Sequence, residues 1–513
     1  MPSDPREPEH YSVDEMMARL QGRDEEEAPE GGKLVTRADG STAMRVKRRK
    51  RRSKQPVKEQ AQRRRRLRAV QITVVLALVF VSLLAAGGAL VYYNTSPFRA
   101  RIVSELRAAT GAEAEIAQLR VTPSGAGAQS LDLQWPEGEA LDSLKLRAVE
   151  ADLQLPSFFG GFWSGEEVVA QQAELRVGVP GASRGGAGQG EQKAGSFFKF
   201  SRIRCPKMAI TIGDGAKPAI AVRDAEVSFY PKGANDHAEI RLNRGSVTFG
   251  NGLPPFQIDR SLLVFNGGQI DVVGLRLNPP GDPRGVMELA GTVPPVSTAR
   301  PSTLDVKLTS FPIQNLAAAP FGRFLSGPVD TREAAAENLL TFVPGQANSY
   351  RFTALLRGAA NSPLKVSGLP CLNVLARLFS DERFATPLID GESVLTLRMD
   401  AGGVHLDNLQ LEAKGRLMLR GSMAIAADQT LSGELQLGLT PALALADDSG
   451  RLHRAFGPAH DGYRWVTVKL SGTASKPRDD FQQALLESPA RPAEPAAEDA
   501  DPARRFEELT KPR

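Results

Sequence analysis

Apolar and polar positions change their period twice along the chain. From Ala69 to Pro97 no residue is charged, and Val70–Tyr93 is 24 mostly apolar residues, enough helix to cross a hydrocarbon core of roughly 30 Å. Residues 69–93 are therefore expected to form a transmembrane helix. Next, Pro97–Thr110 starts on proline and sets Ile102, Val103, Leu106 and Ala109 at helical spacing before Gly111, which predicts a short helix closed by a glycine. Beyond it the period is two. Runs beginning at Leu131, Leu144, Ala173 and Ala221 alternate apolar with polar residues between Gly, Pro, Asn and Asp, and EIRLNRGSVTF, QIDVVGLRL, TLDVKL and YRFTALL continue the pattern. These are strand signals.

The alternation is cleanest in the last third. Leu395, Leu397 and Met399 share a face, as do Leu417, Leu419, Met423 and Ile425, then Leu435, Leu437 and Leu439, then Val466, Val468 and Leu470. In an antiparallel meander these positions merge into one apolar surface, since alternation itself fixes the register. A packed helix or second sheet would cover it; an open groove would fill it with lipid. Helical patterns that could do the covering occur at Cys371–Phe384 and around Thr331–Leu340. The expected fold is mainly β, an elongated, twisted antiparallel sheet or open β-groove with few short helices, preceded by a single transmembrane helix.

Charge adds topology to this picture. Residues 1–44 carry a net charge of −6 and read as a disordered acidic cytoplasmic tail, whereas 45–68 carry +13 and form a polybasic juxtamembrane segment, leaving −2 for residues 69–513. Fourteen cations before the span and only Arg99 and Arg101 close behind it put the N-terminus in the cytoplasm by the positive-inside rule. The polybasic run has no aromatic residue to stack on bases, so contact with anionic lipid of the inner membrane is expected and nucleic-acid binding is not. A Gly-rich insert, 181–195, interrupts the β region 94–330; a second β region, 331–486, is followed by a Pro- and Ala-rich tail, 487–513, read as disordered.

Catalytic chemistry finds little support. Gly181-Ala182-Ser183-Arg184-Gly185 has nucleophile-elbow spacing but lies inside the Gly-rich insert, without the strand and helix that such a turn requires. Gly186–Gly190 imitates a phosphate loop equally without context. His453, His460 and Asp461 have no metal-site spacing. Cys205 and Cys371 are the only cysteines, and sequence alone leaves open whether they pair. No catalytic, metal or cofactor site is expected.

Two stretches resemble the AsmA-like family, the AsmA/TamB-type proteins. Ala148–Val177 is similar to its early element, in which a strand, a short hydrophobic segment (Phe158, Phe159, Phe162 and Trp163) and a second strand follow one another; these aromatics read as a core plug. Asp390–Leu485 resembles its C-terminal region and closes on Leu470, Gly472, Thr473 and Pro477, with a shorter echo at Leu289, Gly291, Thr292 and Pro294. The resemblance implies an inner-membrane anchor, a periplasmic β-groove lined by the thirteen aliphatic residues from Leu395 to Leu470 named above, and phospholipid or another acyl lipid as its partner in outer-membrane lipid homeostasis. An envelope-assembly scaffold that pairs its sheet edge with an outer-membrane or other envelope protein is the alternative. An exported hydrolase is a third reading, and it lacks a catalytic constellation.

Overall fold

The computed structural model describes residues 33–36, 38–45, 55–136, 139, 141–154, 162–178, 197–214, 217–232, 237–250, 253–266, 268–295, 298–316, 321–332, 337–446 and 450–487. Its contacts separate two units, Met1–Ala85 and Ala86–Arg513.

In the first unit, Lys33–Thr36 and Thr42–Arg45 pair antiparallel around Gly40, whose φ is 78°. Asp39 holds the turn by accepting the Ser41 N–H at 3.2 Å. The hairpin lies at the end of the stretch expected to be a tail, where KLVT and TAMR flank a glycine; residues 1–32 lie outside the described residues. A single helix, Gln55–Tyr93, carries the end of the cationic run and then the apolar one. Within it, Thr73–Tyr93 has a mean hydropathy of 2.7 and is long and apolar enough to cross a membrane.

The second unit is mainly β with few short helices. Its first helix, Ser96–Thr110, buries Phe98 and Ile102 and ends at Gly111 (φ 70°), whose N–H returns to the Arg107 carbonyl. Glu113–Ala117 and Arg120–Thr122 then pair with Gly125–Gln134, and the ladder proceeds in chain order through Leu141–Asp152, Trp163–Val177, Phe198–Asp214 and Lys217–Pro231. It continues through Phe256–Asn266, Gln269–Asn278, Val286–Val293 and Ser302–Thr309. Leu339–Phe342 and Arg351–Gly358 lead on to Ser393–Asp400, Gly403–Ala413, Leu417–Ala426, Leu431–Leu439 and Tyr463–Thr473. Trp163–Val177 and Phe198–Asp214 run parallel; the other pairs of the ladder are antiparallel.

Rings in this ladder are local. His237–Asn243 and Ser246–Phe249 are halves of one strand, broken at Arg244 (φ 60°) and Gly245 (φ 80°), and both halves pair with Lys217–Pro231 and Phe256–Asn266. Among the described residues no pairing joins Glu113–Ala117 to the last strand, Lys476–Asp479. Positive φ at Gln118, Ala148, Asp224, Ser310 and Asn408 marks further interruptions, and a bulge of this kind increases the local twist. The sequence expectation of helix around Thr331–Leu340 is corrected here. Pro328–Thr331 and Leu339–Phe342 are strands, fixed by pairing with Arg351–Gly358, while residues 333–336 between them lie outside the described residues.

Among the described residues four short α-helices follow: Pro370–Phe379, Pro441–Leu445, Arg451–Ala455 and Phe481–Glu487. Asp479 ties the first to the last. Its carboxylate accepts the Cys371 N–H at 2.5 Å and the Phe481 N–H at 3.2 Å, taking up one free donor at the start of each helix. Burial raises its pKa above the ordinary carboxylate value, and burial likewise pushes the Cys371 thiol well up. A raised carboxylate pKa means that the folded state holds the proton more tightly than the unfolded chain. That stabilisation is complete below the ordinary carboxylate value and is lost as pH rises through the raised one. Asp479→Ala is expected to cost about 1–2 kcal/mol through the lost caps, read by urea titration. Asp479→Asn should gain stability relative to wild type as pH rises from 4 to 7; a constant difference would contradict the assignment.

Candidate apolar binding face

The thirteen residues from Leu395 to Leu470 do share one face. Leu397 stands opposite Ala354 and Leu406, Leu419 opposite Leu411 and Leu437, and Leu435 opposite Val468. Every one of Leu395, Leu397, Met399, Leu417, Leu419, Met423, Ile425, Leu435, Leu437, Leu439, Val466, Val468 and Leu470 is buried, in a single cluster with Leu372 and Leu375 of the helix Pro370–Phe379, Leu452, Phe456, Phe481 and Leu485. The chain itself closes this face, since the same cluster also takes in Phe256, Leu289 and Leu308 of the earlier strands. Placed as a groove by the sequence, these positions lie in a filled core, which takes in the short helices Pro441–Leu445, Arg451–Ala455 and Phe481–Glu487 as well as the expected helix at Cys371–Phe384.

The resemblance motif is a turn device. Gly472 (φ 91°) and Thr473 pair with Pro477 and Lys476, and the Lys476 N–H donates to the Thr473 hydroxyl at 3.2 Å. In its echo, Gly291 (φ 144°) leaves room for the neighbouring strand: a Cβ there would fall 2.5 Å from the Thr303 carbonyl oxygen.

An accessible apolar face lies on the earlier strands. Leu144 and Leu146 of Leu141–Asp152 stand opposite Leu175 and Ala173, and Val168, Leu175 and Val177 stand beside Ile203, Ile210 and Ile212. Leu144, Leu146, Val149, Val168, Leu175, Val177, Ile210 and Ile212 are half-buried, and Ile203 is 38% exposed. Charge sits on the alternate positions. Arg147 meets Asp132 at 3.5 Å, Arg202 meets Glu167 at 3.4 Å, and Arg204 meets Glu226 at 3.0 Å. Within each run one side is aliphatic and the other laced with ion pairs; Val149, Val168 and Ile203, an odd number of residues from Leu146, Leu175 and Ile210, continue the aliphatic side past the breaks at Ala148 (φ 50°) and after Cys205.

Each end of this face is built differently. At one end Trp163 packs with Phe98, Ile102, Leu119, Val121 and Leu153, joined by Tyr93, Phe197, Phe198 and Phe200. Of the aromatic segment expected to be a core plug, Trp163 is buried and Phe162 lies 4.7 Å from the Lys199 ammonium; Phe158 and Phe159 lie outside the described residues, as does the Gly-rich insert with Ser183. At the other end the loop after Phe342 packs close. A Cβ at Gly213 would meet the Gly345 carbonyl oxygen at 2.9 Å, and one at Gly250 the Ala347 carbonyl oxygen at 2.6 Å. This loop is braced by the Val343 N–H, which donates to the Ser349 hydroxyl at 2.9 Å.

Asn94 joins the exit of the apolar helix to the sheet edge. Its side-chain amide accepts the Val121 N–H at 2.9 Å and donates to the Val121 carbonyl at 2.9 Å and to the Leu90 carbonyl at 2.8 Å. It stands in for a missing neighbouring strand. Asn94→Ala leaves both backbone groups of buried Val121 without a partner, and hydrogen exchange over residues 119–127 is expected to accelerate by an order of magnitude or more. Unchanged exchange would contradict the clamp.

The candidate chemistry disperses. His453 Nδ1 lies 2.7 Å from Arg464, while His460 lies 3.5 Å from Asp461, which itself pairs with Arg420 at 3.1 Å. Among the described residues no group of three His, Cys, Asp or Glu could hold a metal, and Cys205 and Cys371 are both free and buried. Sequence reading missed Ile203, Ile210 and Ile212; the alternation of Met208, Ile210 and Ile212 with Ala209 and Thr211 was the available signal. Compared with known protein families, curated proteins and solved structures, the chain matches none.

Proposed function

We propose that this is a non-enzymatic, membrane-anchored protein of the AsmA-like kind that holds phospholipid acyl chains on the half-exposed aliphatic face of residues 141–212. One observation carries the reading. Three neighbouring strands leave their aliphatic side half-exposed while the same side of the later strands is closed by the chain itself. Water contact at such a face is costly, and each CH₂ of a chain laid on it gains up to about 0.8 kcal/mol. The span Thr73–Tyr93 and the cations before it support an inner-membrane location, with the N-terminus cytoplasmic and the β unit in the periplasm. Because one end of the face meets the 343–350 loop and the later face is filled, the reading is of a holder that hands lipid on to an outer-membrane or other envelope partner.

A strand-addition scaffold finds less support. Its edge groups are already engaged: Asn94 takes Val121 at one edge, and at the other the Lys469 N–H donates to Asp480 at 2.8 Å and the Trp465 carbonyl accepts from Gly457 at 2.9 Å. Native mass spectrometry of the full chain released from membranes tests the proposal. Phospholipid adducts that survive removal of detergent are expected; a folded protein that carries none and takes up none on addition would sink it.

A further inference from the structure

The opposite side of the sheet carries a cavity that the reading above does not use. It has a volume of about 540 Å³ and crosses Phe256–Asn266, Gln269–Asn278, Val286–Val293 and Ser302–Thr309, a size usual for small-molecule sites. Leu262, Val273 and Ala290 supply an apolar floor. Val273 is 58% exposed, unusual for a strand valine in this unit.

Gly274 keeps that floor open. A glycine inside a strand costs about 0.5–1 kcal/mol relative to alanine and marks a bulge or a close approach. A register shift does occur here, between Val272 and Leu275. Yet Gly274 has no left-handed φ, and a Cβ built on it meets nothing within 4 Å. Neither backbone conformation nor packing requires glycine at this position, so its effect is to leave space at the cavity.

The rim holds a cation without an ion pair among the described residues. Arg260 and Arg276 stand directly opposite each other on neighbouring strands, where like charges repel. Arg276 meets Asp259 at 3.3 Å; among the described residues Arg260 has no ion-pair partner. The row continues through Glu288 to Lys307, and Asp305 lies across from Ala290. Asp259 and Glu288 flank Arg276, so the anion-seeking corner is set by Arg260, beside the open floor and away from Asp305.

We infer that this cavity binds an anionic single-chain amphiphile, its carboxylate or phosphate between Arg260 and Arg276 and its chain over Leu262, Gly274 and Ala290. The site is separate from the aliphatic face of residues 141–212, and neither depends on the other. The test uses the full chain in nanodiscs, a diazirine-bearing palmitate as photoprobe, and peptide mapping of the adducts. Labelling is expected in the peptides that carry Leu262–Gly274 and Ala290. Gly274→Leu, which the open space admits without a clash, and Arg260→Glu should each reduce it about tenfold at unchanged melting temperature, with recovery in Arg260→Lys. Competition by free palmitate identifies a carboxylate ligand, and competition by lysophosphatidylglycerol a phosphate one. Absent labelling, labelling indifferent to Gly274→Leu, equal labelling by a diazirine alkylammonium, or competition by neither anion would overturn the inference.

Discussion

Replacing Leu437 by Asp is expected to abolish folding of the second unit. Leu437 is fully buried, stands between Leu419 and Val466 on neighbouring strands, and belongs to the core cluster that also holds residues of the helices Pro370–Phe379 and Phe481–Glu487. Truncating such a side chain costs about 2–5 kcal/mol, and an isolated carboxylate in its place adds several more because it has no partner there. Against a total stability of about 5–15 kcal/mol for an ordinary domain, the sum leaves little or no folded population. Circular dichroism and solubility read the outcome directly. The milder Leu437→Ala should lower the free energy of unfolding by about 2–5 kcal/mol with the denaturant slope preserved. A folded Leu437→Asp protein would mean that water or lipid reaches this face, contrary to the filled core.

The same substitution at Ile210 is expected to have the opposite balance: folding survives and lipid is lost. Ile210 sits between Leu175 and Val222 but is only half-buried, so an Asp carboxylate there keeps contact with water. A bound acyl chain would have to strip that water away, and the desolvation penalty of several kcal/mol per ion predicts at least a tenfold fall in lipid occupancy. Native mass spectrometry and thermal melting on one preparation separate the two effects. Loss of lipid together with loss of the folded unit would move Ile210 into the core and weaken the proposed site.

The contrast between Leu437 and Ile210 shows how far the sequence reaches. Alternation alone gave the correct common face for Leu417, Leu419, Leu435 and Leu437, because a period of two admits a single register once one side is apolar. It said nothing about what lies above that face. Pro441–Leu445 and Arg451–Ala455 are five residues each, too short for a helical period to be read, yet Ala444, Leu452 and Phe456 fill the space over the sheet. Leu175 and Ile210 alternate just as Leu435 and Leu437 do; they are only half-buried, Ile210 packing on the rim of the main core cluster, a tertiary fact with no local signature. The parallel pairing of Trp163–Val177 with Phe198–Asp214 had one legible cue, the twenty residues that separate the two strands, since parallel neighbours need a connection of a dozen residues or more.

The central claim is that acyl chains lie on the aliphatic side of residues 141–212 and nowhere on the later core. A photoreactive amino acid placed singly in the full chain, in membranes, tests this position by position. Lipid adducts are predicted at 203, 210 and 175, on the aliphatic side, and not at 174 or 204, which alternate to the ion-paired side. Equal labelling of both sides, or no labelling at 203, 210 and 175, would contradict the account.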